Sequence, residues 1–398
     1  MGKIRFEKTI KVEGLPDIKI RTPRLADMRR IRVLYAEVYG GNYSVPLIVD
    51  ENKMRFAIDN DFYYWLVAEC QGRIIASLIY AIDYENRISK AFGAVVSRDY
   101  RKHNLAYLMM KYILDDIAHN KKWVDLVYAT TRTANYAPQR LTESLGFLKL
   151  GIFPNTHKVF ENETHCLSAF YTESGLRKRK PEPVIVPEIA PFYNLVKHQV
   201  KLGEPVVKDC KNVSPISNPD LLDFEVISAE YFIKHRFSRV KPRGFFKHIF
   251  MPFHEPNVLL VSPDQSTEVY LNCNLRDKYS VVLSGKTAEK MEVVLESLAR
   301  KLNAMNMGYV ELVLDAYTPS LQRRALMARF VPSGYFPAAK KVGKKRLDCI
   351  VFSRTFETLD FRNVQIVPVY RNFLKHYLKI WEDLYIDFPF RHEDKKRK

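Results

Sequence analysis

The stretch 95–147 constrains this chain most. Ala94-Val95-Val96 closes a short apolar strand, and Arg98-Asp99-Tyr100-Arg101-Lys102-His103-Asn104 follows it. Leu105, Leu108, Met109, Tyr112, Ile113 and Ile117 then recur at helical spacing. Asp125-Leu126-Val127-Tyr128-Ala129 reads as a second strand, ahead of Asn135 and Leu145-Gly146-Phe147. Strand, loop, helix and strand make a βαβ-like unit whose loop meets the helix's first amides, which have no partner inside the helix. Such amides, with the positive end of the helix dipole, form a seat for phosphate or pyrophosphate. Arg101, Lys102 and His103 add charge beside it. A plain βαβ unit whose loop binds nothing fits the same residues.

Arg101-Lys102-His103-Asn104-Leu105-Ala106 resembles the acyl-CoA loop of the GNAT-type N-acetyltransferase superfamily, Arg/Gln-x-x-Gly-x-Gly/Ala. Asn104 stands where glycine is usual; after glycine, asparagine best tolerates a left-handed backbone. The run from Asn135 through Ala137, Leu141, Thr142, Glu143 and Leu145-Gly146-Phe147 resembles the family's downstream segment at its usual separation. The resemblance covers about residues 15–172, because the order upstream also fits. Strand 18–21, a basic helix 25–39, a helix within 44–58 and strands 62–70, 73–83 and 88–96 precede the loop, with Gln71-Gly72 as a tight turn.

Residues 173–221 carry Arg177-Lys178-Arg179-Lys180 followed by Pro181, Pro183, Pro187 and Pro191, and read as a connection with a short helix at 192–200. The second half then repeats the first. Strands 257–264, 268–274 and 279–284 lead to a helix at 287–307, with Met291, Val294, Leu295, Leu298 and Leu302 on one face. Strand 309–316 and helix 320–330 follow. Residues 146–154 align without gaps on 329–337, which brings Cys166 onto Cys349. Before the second long helix stands Leu283-Ser284-Gly285-Lys286-Thr287, with neither the acyl-CoA pattern nor the earlier glycine of a P-loop. The expected fold class is α+β (mixed α/β): two tandem units resembling the family's fold, each a central, mostly antiparallel mixed sheet flanked by helices. The expected division is a cofactor domain at 1–172, the connection at 173–221, a degenerate copy at 222–360, and a helix with a basic tail at 361–398. That last helix carries Phe373, Leu374, Tyr377, Leu378, Trp381, Leu384 and Tyr385.

A formal net charge of +18 favours anionic partners: nucleic acid, acidic lipid or a phosphate-rich cofactor. Nucleic acid is the less favoured, for want of interleaved aromatics. The five cysteines are scattered, without a Cys-x-x-Cys pair, so neither a disulfide framework nor zinc is expected. No residue cluster has metal-ligand spacing. Met1-Gly2-Lys3-Ile4-Arg5 lacks a signal peptide's apolar core and no apolar run is long enough to span a bilayer, so a soluble, cytoplasmic protein is expected.

The resemblance implies acetyl-CoA, or another acyl-CoA, as cofactor and an amine of a small molecule or peptide as acceptor. It assigns the pantetheine arm to Ala94, Val95 and Val96, the pyrophosphate to Arg101, Lys102, His103, Asn104, Leu105 and Ala106, and a contact near the arm to Asn135. Many relatives place an acidic tyrosine where this chain has Thr142, a far weaker acid. Tyr136 and Tyr128 are then the local candidates for proton donor, and Asp83, Tyr84 and Glu85 at a strand turn for general base. Two rival readings are an acyl-CoA-binding regulatory or interaction protein without turnover, and an RNA-directed acetyltransferase using the basic run. Oligomeric state is not legible in the sequence.

Overall fold

The computed structural model describes residues 4–41, 43, 45–158, 161–210 and 220–387; the basic end of the tail, 395–398, lies outside them. The chain divides into two units: Met1–Thr130 with Arg140–Phe147 and Ser168–Leu176, and Thr131–Gln139 with Leu148–Leu167 and Arg177–Lys398.

The first unit opens with β1 (Glu7–Ile10) and β2 (Ile18–Arg21), followed by α1 (Met28–Tyr39), α2 (Pro46–Val49) and α3 (Glu51–Asp59). The single helix expected over 44–58 is split at Asp50. That residue is extended, and its carboxylate accepts from the amides of Asn52 and Lys53 at 2.9 and 3.0 Å, an N-cap that starts α3 afresh. The meander β3 (Tyr63–Cys70), β4 (Arg73–Asp83) and β5 (Ile88–Val96) follows. Its first turn, Gln71-Gly72, has φ of 47° and 78°, the mirror-image turn that matches right-handed strand twist. Next come α4 (Leu105–Leu114), extended by a π-helical turn at Asp115–Asn120, then β6 (Leu126–Arg132), α5 (Ala137–Ser144), β7 (Leu148–Lys158), β8 (Asn162–Tyr171) and α6 (Glu173–Arg177). β6, α5 and β8 contribute residues to both units, and β7 belongs to the second.

The sheet order β1-β2-β3-β4-β5-β6 is antiparallel except for β5 and β6, which run parallel because α4 carries the chain across between them. Alternation along β3 feeds two cores. Tyr64, Leu66 and Ala68 pack with Leu105, Met109 and Ile113 of α4. Trp65 and Val67 pack with Ile31, Leu34 and Tyr35 of α1 and Met54 and Ile58 of α3. The two helical layers are thus fixed on opposite faces of the sheet. At the edge of the second core the buried Arg21 guanidinium meets Asp27 at 2.6 Å and Glu69 at 2.7 Å.

The second unit continues with β9 (Val184–Ile185), α7 (Ala190–Lys197), β10 (Val206–Val207), β11 (Glu225–Ile227), α8 (Glu230–Phe237), β12 (Val258–Val261), β13 (Glu268–Asn274), β14 (Tyr279–Lys286) and α9 (Met291–Ala304). It ends with β15 (Tyr309–Asp315), α10 (Pro319–Met327), β16 (Val331–Val342), β17 (Lys345–Thr355) and α11 (Pro368–Glu382). Its strands run β11-β12-β13-β14-β15-β17-β16, with β7 beside β16. Again one pair, β14 and β15, is parallel, joined across α9. Chain order and sheet order in β12 to β17 therefore recur from β3 to β8.

Gly151 of β7 pairs with Gly334 of β16, the two positions that the gapless alignment superposes. A Cβ on Gly151 would lie 2.4 Å from the Ser333 carbonyl oxygen, so the crossing demands glycine there. Gly285 lies within β14 and the Phe246 ring fills the space beside it, which gives Gly285-Lys286-Thr287 no phosphate loop. The basic run lies alongside β17: Arg179 bridges Arg346 and pairs with Asp348 at 2.5 Å. Phe192, Tyr193 and Val196 of α7 are fully buried. On α11 the buried stripe is Tyr370, Phe373, Tyr377 and Ile380.

Candidate functional site

The site begins where two parallel strands part. β5 pairs with β6 from Ile88↔Leu126 to Ala91↔Ala129, and no pairing with β6 follows along 92–96. On its other side β5 bulges against β4: Ile79 faces Phe92, whereas Ser77 faces Val95. Gly93, at φ +65°, takes up the extra residue, which re-aims the strand and frees backbone groups beside the gap.

A short chain of hydrogen bonds holds this bulge. Trp65 Nε1 donates to Ser77 Oγ at 2.8 Å, Tyr35 Oη lies 3.2 Å from Ser77 Oγ, and the Tyr35 hydroxyl donates to the Gly93 carbonyl at 2.5 Å. Burial pushes the Tyr35 phenol far up, so it stays protonated and serves as a fixed donor.

From Val96 the chain enters the loop. A 3₁₀ turn at Arg98–Tyr100 leads to Arg101, whose Nε donates back to the Val96 carbonyl at 3.2 Å. Lys102 has φ 71°, and Asn104 sits left-handed at φ 56°, ψ 17° as the N-cap of α4. The Asn104 side chain makes no capping bond, and the helix's own ladder opens with the Leu108 amide on the Asn104 carbonyl. The amides of Leu105, Ala106 and Tyr107 therefore have no acceptor in their own helix. Leu105 is buried among the residues under the sheet and anchors the helix end, while Arg101 and Lys102 are exposed beside it.

The remaining sequence candidates are placed differently. Tyr84 and Glu85 stand at the hairpin between β4 and β5, at the opposite end of β5 from the loop. Ile88 to Val96 is eight strand steps, roughly 26 Å, so the structure does not bring these two to the loop. The Tyr84 hydroxyl donates to the Asp61 carbonyl at 2.8 Å, and burial raises its phenol to about 12. Asn135 and Tyr136 lie on Thr131–Gln139 of the second unit, where the Asn135 side chain accepts from the Ala137 amide at 2.9 Å. Thr142 is buried, and its carbonyl accepts from Leu145 and Phe147 at the end of α5.

Sequence reasoning missed a cavity of about 610 Å³ lined by α1, α2 and α3 residues. Its signal was the spacing of Arg29, Arg32, Val33 and Ala36 along one face of α1. Among the described residues no group of three His, Cys, Asp or Glu side chains is placed to hold a metal ion, and no helix is long and apolar enough to cross a membrane.

Parted parallel strands, a bulge of β5 against β4 and a helix N-terminus without a side-chain cap define the site's class. Residues 28–147 match the model of the Acetyltransferase (GNAT) family. Over this part of the chain the match bears out the superfamily resemblance that the loop and the Leu145-Gly146-Phe147 segment carried. Similar solved structures include the acetyltransferase of GNAT family from Streptococcus pneumoniae, at 16% identity over 39% of this chain and 98% of that one, TM-score 0.35. The ribosomal-protein-alanine N-acetyltransferase from Brucella melitensis gives 17% identity over 38% and 99%, TM-score 0.34. The ribosomal L7/L12 alpha-N-protein acetyltransferase RimL in complex with coenzyme A gives 11% identity over 42% and 99%, TM-score 0.35. A comparison with the curated proteins finds no match.

Proposed function

We propose that the first unit is an acyl-CoA-dependent N-acyltransferase, most simply an N-acetyltransferase acting on an amine of a small molecule or peptide. One observation carries this reading: the 92–96 segment of β5, without a pairing to β6, leads through the loop 97–104 to the N-terminus of α4, which has no side-chain cap. The amides of Leu105, Ala106 and Tyr107 and the side chains of Arg101 and Lys102 fit a diphosphate, and His103 stands in the same turn. The free edge at Ala94, Val95 and Val96 fits an extended, amide-bearing arm, which would add to it as a strand does. When bound, acetyl-CoA supplies an activated acyl group as a thioester. The chain's part is to hold that group in register and to present an N–H of the bulge to the carbonyl that becomes negative during attack. Tyr35 fixes the bulge by its bond to Gly93.

A cytoplasmic setting with its acyl-CoA pool stays within this proposal. The second unit is read as a copy of the first that has lost the cofactor loop. Thr142 in place of a phenol favours one alternative, an acyl-CoA binder without turnover; thiol release over an amine panel separates the two.

The test is a calorimetric titration of acetyl-CoA into the wild type and an Arg101→Ala/Asn104→Asp variant. A carboxylate at the helix N-terminus repels the diphosphate, so affinity is expected to fall by about tenfold or more. Superimposable isotherms would count against the loop.

A further inference from the structure

The second unit repeats the parting of its parallel strands, and there the gap is filled. β14 and β15 pair only from Tyr279↔Tyr309 to Val281↔Glu311. Beyond that point each keeps its outer neighbour: β13 follows β14 to Lys286, and β17 follows β15 to Asp315. This is the arrangement of β5 and β6, at the same place in the recurring sheet order. Two parted inner edges leave backbone groups to satisfy.

Residues 243–250 of the same unit supply the partners. The Arg243 amide donates to the Gly285 carbonyl of β14 at 3.2 Å, and the Phe250 amide to the Val313 carbonyl of β15 at 3.1 Å. Ile249 bridges Leu314 in the antiparallel sense. Between these ends a 3₁₀ turn, Gly244–His248, buries Phe245 and Phe246 as a stacked pair, ring centroids 4.1 Å apart. A Cβ on Gly285 would lie 2.6 Å from the Phe246 ring, and one on Gly244 would lie 2.9 Å from the Thr287 carbonyl oxygen, so strap and strand touch at both glycines. The Lys340 ammonium donates to the carbonyls of Lys247 and Ile249 at 3.3 Å each, and His248 Nδ1 lies 2.6 Å from the Asp315 carboxylate. The helix after β14 is altered to match. Glu292, buried and paired with Arg324, is the second residue of α9, where α4 has Ala106. A carboxylate there takes the place beside the helix amides that suits an anion.

We propose that residues 243–250 are a resident occupant of the second unit's strand gap, an internal strap in the position an acyl-CoA arm takes in a working unit, so that the chain binds one acyl-CoA and the second unit none. This rests on the transferase reading only in naming the ligand that the strap replaces; the strap itself stands on its bonds to β14 and β15. Its hold is that of an added strand, backbone to backbone at both ends, with two phenyl rings excluding water between them. An acyl-CoA would have to displace both rings and then set its diphosphate against Glu292.

The experiment is site-resolved hydrogen exchange on the full chain with and without saturating acetyl-CoA, beside a calorimetric count of bound equivalents. Without ligand, the Arg243 and Phe250 amides are expected to exchange about a hundredfold or more slower than in a free peptide. Acetyl-CoA is expected to bind at a single equivalent and to leave exchange at 243–250 and 282–287 unchanged. Phe246→Ala is expected to speed exchange at Arg243 and Phe250 by about tenfold or more while protection along β3 and β4 stays. Lys340→Met, a milder change at the strap's carbonyls, is expected to act in the same direction and serves if the first variant does not fold. Free-peptide exchange at Arg243 and Phe250, a second equivalent with new protection at 282–287, or strap protection that neither variant loosens would each overturn the proposal. A protected strap in a chain that binds no acetyl-CoA at all would sink the transferase reading and leave the strap in place.

Discussion

Asn104 shows how one side chain can fill a glycine position. Its left-handed conformation costs a residue with a Cβ roughly 1 kcal/mol, less for asparagine than for most. Asn104→Gly is therefore expected to leave acetyl-CoA affinity intact and thermal stability unchanged or slightly raised, while the branched Asn104→Val loses about 1–2 kcal/mol and weakens binding. Thermal melts with paired titrations check both. Tyr35 calls for a different substitution. Tyr35→Phe removes the donor to the Gly93 carbonyl and keeps the ring, so kcat is expected to fall about tenfold or more with little change in acetyl-CoA affinity. An unaltered kcat would remove Tyr35 from any positioning role. Acid sensitivity also has a residue-scale cause. Burial depresses the His165 imidazole to about 4 despite the neighbouring Glu163 carboxylate. Its unfolded value is near 6.5. Between those values the unfolded chain binds more protons, so stability falls as pH drops from about 6.5 to 4, by an order of 3 kcal/mol for this group. Denaturant midpoints measured across that range should show the slope, and His165→Asn should flatten it. Asp27 and Glu69, held low by Arg21 against their burial, add a loss at more acid pH in the same direction.

At the scale of elements, much was legible because the signals are local. Alternation along β3, β4 and β5 and the Gln71-Gly72 turn announce the meander, and the apolar spacing from Leu105 to Ile117 announces α4. The break at Asp50 was missed although its signal, an aspartate before a helical run, lies in the sequence. The cavity is another matter: which arginine of α1 turns to Glu69 and which to open space is settled by packing alone. Tyr84 and Glu85 were candidates because they precede the cofactor strand, but strand length carries them away from its far end. The gapless alignment of 146–154 with 329–337 was visible, yet that Gly151 and Gly334 touch was not. Their contact has a measurable consequence. Gly151→Ala forces a Cβ into backbone and is expected to cost about 3 kcal/mol by urea unfolding. A loss under about 0.5 kcal/mol, the level of a surface substitution, would contradict the close crossing.

For the whole molecule, the net charge of +18 and the site's chemistry point the same way. A pyrophosphate at α4 would be anionic, so salt is expected to weaken its binding. The recurrence of sheet order in the second unit, without a matching loop before α9, leaves one cofactor site per chain in this account. That site's defining physical feature is a set of backbone groups without a partner in their own helix or in β6. Hydrogen exchange reads the amides among them directly. On adding acetyl-CoA, exchange is expected to slow at 92–96 and at Leu105, Ala106 and Tyr107, while the Tyr84-Glu85 hairpin stays unchanged. Protection confined to other segments, or none at saturating acetyl-CoA, would contradict the account.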